Sequence, residues 1–196
     1  MPTGVAIRDA REQLFEAAER ILLRDGPSAL TSRAVTTEAG CAKGVLHRHF
    51  ADFDAFLVEL VQDRIVRVQR QSEALNASAG SGSVVENLTE AISLAFGPVA
   101  VAVVSLITFR DEVRSRLRAT RPVGVPLIAD IAEMIASYLR VERELGRLER
   151  STDIDTLAPT LIGAGHLLFA DRTGAPPTPE AVRSMVTAVV GASATG

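Results

Sequence analysis

Three observations predict an all-α chain. Apolar residues recur at the i, i+3, i+4 spacing of a buried helical face in nearly every segment, as in Leu14, Phe15, Ala18, Ile21 and Leu22. The run with strongest β-propensity, Val99-Ala-Val-Ala-Val-Val104, has no partner strand elsewhere and reads as a buried helix. Two short helical patterns meet at Gly40, where a helix C-terminus wants a residue that accepts positive φ. Helices this short, joined this tightly, form a helix-turn-helix.

The first helix is predicted from Ile7 to Asp25, with Glu and Arg on its solvent face and Gly26-Pro27 as its stop. Leu30 precedes Thr31, whose hydroxyl caps a second helix with Val35 and Ala39 inward. After Gly40 a third helix buries Leu46 and Phe50. Asp52 caps a long fourth helix lined by Phe53, Phe56, Leu57, Leu60, Val61, Ile65 and Val68 to about Leu75. Asn76 to Ser83 is a flexible loop. A fifth helix spans Val84 to Phe96, and a sixth opens at Pro98 and runs to Phe109, with a continuation through Arg110 to Arg118 left open. Pro122, Gly124 and Pro126 mark a loop before a seventh, Leu127 to Leu145, which stops at Gly146. Thr152 is placed as the cap of an eighth helix with Ile154, Leu157, Leu161, Gly165 and Leu168 in its stripe, kinked or weakened at Pro159. Thr178-Pro179 starts the ninth, with Val182, Met185, Val186, Val189 and Val190 inward and a frayed tail after Gly191.

Projection of the third helix at about 100° per residue turns Arg48 and Gly44 outward, with His47 and Val45 on the flanks and Lys43 on the first turn. From Ala39 to His49 the chain carries Lys43, Arg48, His47 and His49 and no acid. This is a face of donors for phosphates and base edges, with a glycine for close backbone approach. A solvated basic helix face gives the same pattern in isolation; the glycine turn and the preceding helix argue for the nucleic-acid role.

Ala39-Gly40-Cys41, Lys43-Gly44-Val45-Leu46-His47 and His49-Phe50 together resemble the DNA-binding segment of the tetracycline-repressor (TetR) family of bacterial regulators. Val45 stands where that family usually has threonine, His47 where it has tyrosine, and Phe53 where it has a lysine that reaches phosphate. The resemblance implies an N-terminal three-helix DNA-binding domain, residues 1–51, joined by the long helix to a C-terminal helical ligand-binding and dimerisation domain, residues 52–196. It implies a homodimer on a palindromic double-stranded DNA operator and a small-molecule effector. Arg48 and Lys43 are then expected on base edges. Thr31, Ser32, Arg33 and His47 are expected mainly on phosphates, with Gly44, Val45 and His49 completing the interface. The alternative is a helical small-molecule-binding or enzymatic module in which the motif is incidental.

Composition neither adds to nor opposes this. Net charge is −3, so attraction to DNA has to come from a local patch. The single Cys41 excludes an internal disulfide and, in the small apolar slot after the turn glycine, reads as a packed thiol. The N-terminus lacks a signal-peptide core, and Ala95 to Phe109, broken by Gly97-Pro98, is too short for a membrane span, so a cytoplasmic protein is expected. His47 and His49 at i, i+2 splay by about 200° on a helix and lack further ligands, so no metal is expected. His166, Asp171 and Ser184 lack a nucleophile elbow, and no phosphate-binding glycine motif occurs, so neither an enzyme nor a cofactor is expected.

Two expectations concern the C-terminal part. Helices at 153–170 and 179–191 are expected to form the dimer bundle, because their apolar stripes look surplus to one small core and Gly163 and Gly165 permit close approach. The effector pocket is expected among helices four to eight. Phe96, Phe109, Met134 and Tyr138 are its candidate lining, and His166 and Tyr138 its polar anchors; each singly also suits ordinary core.

Overall fold

The computed structural model describes residues 10–120, 124–170 and 176–191. The helices are α1 (Ala10–Arg24), α2 (Ser32–Glu38), α3 (Gly44–His49), α4 (Phe53–Ala77), α5 (Val84–Ala95), α6 (Pro98–Phe109), α7 (Asp111–Thr120), α8 (Ile128–Glu144), α9 (Ile154–Phe169) and α10 (Pro179–Val190), with a 3-10 turn at Pro27–Ala29. No β-strand forms among the described residues, and Val99–Val104 lies within α6. The expected helix start at Ile7, the Pro122 end of the loop, Asp171 and the tail after Gly191 lie outside the described residues.

Caps set the helix starts. Side chains of Thr31, Asp52, Ser83 and Thr178 accept the backbone N–H three residues on, at 3.1, 2.6, 3.5 and 3.2 Å. Two expectations are corrected. Asp153 rather than Thr152 caps α9, taking Thr156 N–H at 3.2 Å, because Thr152 is buried with its hydroxyl unpartnered. The sixth helix does not continue past Phe109: Arg110 is extended (φ −113°, ψ 98°), and α7 starts anew at Asp111. The eighth and ninth helices of the sequence pattern are therefore α9 and α10. Helix α9 runs through Pro159 as one assigned element.

The core explains the layering. Phe15 of α1, Phe50 after α3 and Phe56 of α4 form a triangle with ring centroids 5.0 to 5.8 Å apart, so α1, α2 and α3 close over the start of α4. Helix α4, 25 residues long and so roughly 37 Å, extends away and packs along α8, α7 and α5. Helix α9 covers α8, and α10 lies on α5 and α9. The buried side chains form one continuous cluster from Leu14 to Val190. No single helix among the described residues is long and apolar enough to cross a membrane.

The last two helices depart from expectation in orientation. Ile154, Leu157, Leu161 and Gly165 of α9 and Val182, Val186 and Val190 of α10 are buried inside this chain. A Cβ on Gly165 would meet Phe96 at 3.2 Å, so this glycine serves the packing of α9 on its own subunit. Gly163 points into open space.

Candidate nucleic-acid interface

The turn that presents α3 is built from backbone hydrogen bonds. Gly40 N–H donates to Thr37 at 3.1 Å and Cys41 N–H to Thr36 at 3.0 Å, with Gly40 at φ 66°. That pair of bonds is the Schellman stop, and it needs a left-handed residue at Gly40. Cys41 then packs against the core, and burial pushes its thiol above the ordinary value. Leu46 and Phe50 seat α3, and the Arg11 guanidinium holds its far end: it lies 4.6 Å over the Phe50 ring, donates to the His49 carbonyl at 3.4 Å and pairs with Glu59.

Seated this way, α3 exposes Lys43, Gly44, His47 and Arg48 together. Nothing lies within 4 Å of a Cβ built on Gly44, so that surface is open to a close-approaching partner. Thr31 and Arg33 are exposed at the start of α2, beside an open groove of about 620 Å³ between α1 and α2. Ser32 is half-buried, and its hydroxyl oxygen has no partner. Two members of the expected interface sit differently. Val45 is half-buried against the core, and His49 is half-buried with its ring 6.5 Å from Phe50. Their positions flank the outward arc rather than centre it, so packing claims part of each.

Charge is sorted in the same way. Glu38 of α2 takes Arg20 at 2.8 Å and Arg24 at 3.0 Å, and these guanidiniums hold its carboxyl below the usual range. Among the described residues Arg33, Lys43 and Arg48 form no ion pair. Glu38 and Asp25 are thus paired with Arg20 and Arg24 at the groove between α1 and α2, and the α3 face keeps its cations. Sequence reasoning missed Arg11, Arg110 and Arg116. Arg110 donates to the Leu30 carbonyl at 3.0 Å and Arg116 grips Asp52, so both reach the motif from far along the chain, where no local spacing reveals them.

The expected pocket lining does not come together as one wall. Phe109 is 82% exposed and borders a surface groove of about 420 Å³ with Pro27, Ser28 and Leu106, whereas Phe96 is buried against α9. Tyr138 is fully buried; its hydroxyl accepts from Asn87 at 2.9 Å and is hydrogen-bonded to Glu142, and burial above all raises its pKa well beyond the ordinary tyrosine value. That hydroxyl is committed to the network in which buried Glu142 accepts from Gly80 N–H at 3.3 Å and Arg147 lies 3.4 Å away. Met134 is core. His166 is half-buried 6.3 Å from the Phe96 ring, with Nδ1 buried and unpartnered. A cavity of about 250 Å³ opens instead between α4 and α5, lined by Gln71, Ala74, Leu75, Asn87, Ala91 and Leu94 among others. The Gln71 Oε1 is buried and unpartnered. No group of His, Cys, Asp and Glu among the described residues has metal-binding geometry.

Residues 14–60, which span most of α1, all of α2 and α3 and the start of α4, match the family model of bacterial regulatory proteins, tetR family. The HTH-type transcriptional regulator PksA of Bacillus subtilis (strain 168) is 32% identical over 68 residues, a match that covers 33% of this chain and 33% of that relative. The fold resembles a transcriptional regulator of Rhodococcus sp. Rha1 (TM-score 0.71, 16% identity, 96% of this chain and 100% of that one). It also resembles SmeT, the repressor of the Stenotrophomonas maltophilia multidrug efflux pump SmeDEF (TM-score 0.66, 16% identity, 96% and 92%). At these identities the structural likeness speaks for the fold alone; what is similar to the tetR family of bacterial regulatory proteins is the segment 14–60, with its glycine turn and the α3 face.

Proposed function

We propose that this protein is a DNA-binding transcriptional regulator, a cytoplasmic repressor that a small apolar or amphipathic ligand releases from a palindromic operator. The observation that carries the reading is the α3 face, where Lys43, Gly44, His47 and Arg48 are exposed together on a helix whose other side is locked by Leu46 and Phe50. Arg48 and Lys43 read base edges; Thr31, Ser32, Arg33 and His47 hold phosphates and fix register. The boundary between reading head and body falls after residue 51, where α4 begins and continues into both. SmeT, which shares the fold, is a repressor, and that supports repression as the sign of regulation.

Two copies pair through α9 and α10 about a two-fold axis. Because the apolar stripes of both helices face inward, the contact uses the outer side of α9, where Thr156, Thr160, Gly163 and the 76% exposed Leu167 recur at helical spacing. The effector sits against α4, with the α4–α5 cavity as its point of entry, Phe96 and His166 lining the deeper wall, and Met134 and Tyr138 as packing behind it. Selection from a randomised duplex library tests the reading as a whole. Palindromic duplexes should be enriched, with affinity falling linearly in log salt as counterions are released. A protein that enriches no duplex would sink it.

A further inference from the structure

Two arginines, Arg110 just before α7 and Arg116 within it, reach back to the reading head. Helix α6 ends at Phe109, Arg110 turns the chain, and α7 begins at Asp111. Arg110 Nη2 donates to the Leu30 carbonyl at 3.0 Å; Leu30 is the residue before Thr31, the cap of α2. The same guanidinium lies 5.5 Å over the Phe53 ring and 3.6 Å from Asp54. One turn and a half along α7, Arg116 binds Asp52 through both terminal nitrogens, at 3.0 to 3.2 Å, while its Nε donates to Glu112 at 2.8 Å. Asp52 is the cap of α4. The elbow therefore holds the segment that enters the helix-turn-helix and the segment that leaves it.

Simple stabilisation does not account for this arrangement. The Arg116 and Asp52 side chains are 37% and 50% exposed, and pairs so solvated contribute little to folding. Geometry is what the pairs add. The bidentate Arg116–Asp52 contact fixes an angle as well as a distance, and together with the Arg110–Leu30 hydrogen bond at the other end of the motif it defines the motif's tilt about the α4 axis. We infer that Arg110 and Arg116 are positioning residues for DNA binding, which set the separation of the two recognition helices in the dimer by fixing each reading head against α6 and α7. The inference rests on the DNA-binding reading above. It adds a second mechanical link to the continuous helix α4.

The charges of the pair make the test discriminating. Removing Asp52's negative charge strengthens attraction to a polyanion if charge alone matters, and removing Arg116's positive charge weakens it. If the pair acts by positioning, both losses weaken binding. Asp52→Asn keeps a capping side chain, so α4 retains its start. The duplex is the palindrome the wild-type protein selects from a randomised library, tested as selected and with one base pair added or removed at its centre, which moves the half-sites by about 3.4 Å and rotates one against the other. Asp52→Asn, Arg116→Gln and Arg110→Gln should each lose about three- to tenfold in affinity, the net worth of exposed pairs in two protomers. They should also discriminate less between the three spacings, with an unchanged salt slope and an unchanged thermal midpoint. The Asp52→Asn/Arg116→Gln double variant should be no worse than either single. Tighter binding by Asp52→Asn, unchanged discrimination of spacing, or a salt slope reduced by about one in Arg116→Gln (the mark of a phosphate contact) overturns the inference while leaving the regulator reading intact. A wild-type protein that selects no palindrome removes both.

Discussion

Arg48 stands on α3, a helix of six residues, and Arg33 at the start of α2, and they differ in what their loss should do. A guanidinium that forks onto a base edge is worth about 1–3 kcal/mol of discrimination. Arg48→Ala should weaken binding by that amount and relax preference at one base position per half-site; a titration across single-base variants of the selected site shows it. Equal affinity and equal specificity would mean that the assigned face is wrong. Arg33→Ala should weaken all duplexes alike and reduce the salt slope by about one. Carboxylates define the response to acid. The pairs with Arg20 and Arg24 hold Glu38 below the usual carboxylate range. A depressed folded value means the unfolded chain binds more protons, so their contribution is complete above about pH 5 and is lost as pH falls through the depressed value. Chemical denaturation between pH 3 and pH 7 should show stability rising with pH over the acid part of that range. Replacing Glu38 by Gln should flatten the rise.

At the scale of elements, the turn before α3 and the outer face of α9 carry separate predictions. Gly40 sits at φ 66° with open space around it, so alanine there meets backbone strain and no clash. Gly40→Ala should cost about 1–2 kcal/mol in unfolding free energy; a change near zero in a urea titration would contradict the Schellman description of the turn. Helix α9 buries one stripe on α8 and leaves Leu167 exposed on the other. Burying a leucine is worth roughly 1.5–3 kcal/mol. Leu167→Glu, which also places a charge in the contact, should shift sedimentation at micromolar concentration from dimer toward monomer without lowering helicity. An unchanged dimer would place the two-fold contact elsewhere.

For the whole molecule, α4 runs from the three-helix unit of α1 to α3 into the rest of the fold, and the α6–α7 elbow contacts that unit again through Leu30 and Asp52. A dimer reads two half-sites roughly 34–36 Å apart, so a few ångströms of change in head separation prevents simultaneous docking. A ligand alters that balance only by the difference in its affinity for the two states. Compounds found by thermal shift should stabilise the protein by about 2.7 kcal/mol at a concentration 100 times their dissociation constant, and those that act as effectors should weaken duplex binding in the same titration. A compound that stabilises the protein and leaves duplex affinity unaltered is not the effector the proposal describes.

The helices and the outward, exposed face of α3 were legible in the sequence because both rest on short-range physics. Val35, Leu46 and Phe50 mark the buried side at helical spacing, Gly40 meets the steric demand of a left-handed turn, and the acid-free run from Ala39 to His49 is contiguous. Caps were read with one slip, Thr152 where Asp153 caps, since both residue types suit the role and only burial of Thr152 decides between them. What faces what was not legible. Periodicity shows that α9 and α10 have apolar stripes, yet only packing shows that α8 and α5 take them up and that Gly165 faces Phe96 of the same chain. Tyr138 and Phe109 were equal candidates as aromatic residues; one is locked in a buried network with Asn87 and Glu142, and the other lies on the surface. Arg110 and Arg116 look like ordinary solvated charges until the fold brings them to Leu30 and Asp52. Local sequence determined the elements and which side of α3 faces outward because backbone sterics and amphipathic spacing act within a few residues. Tertiary structure alone decided the partners of each face, since those are set by which distant surfaces exclude water from one another.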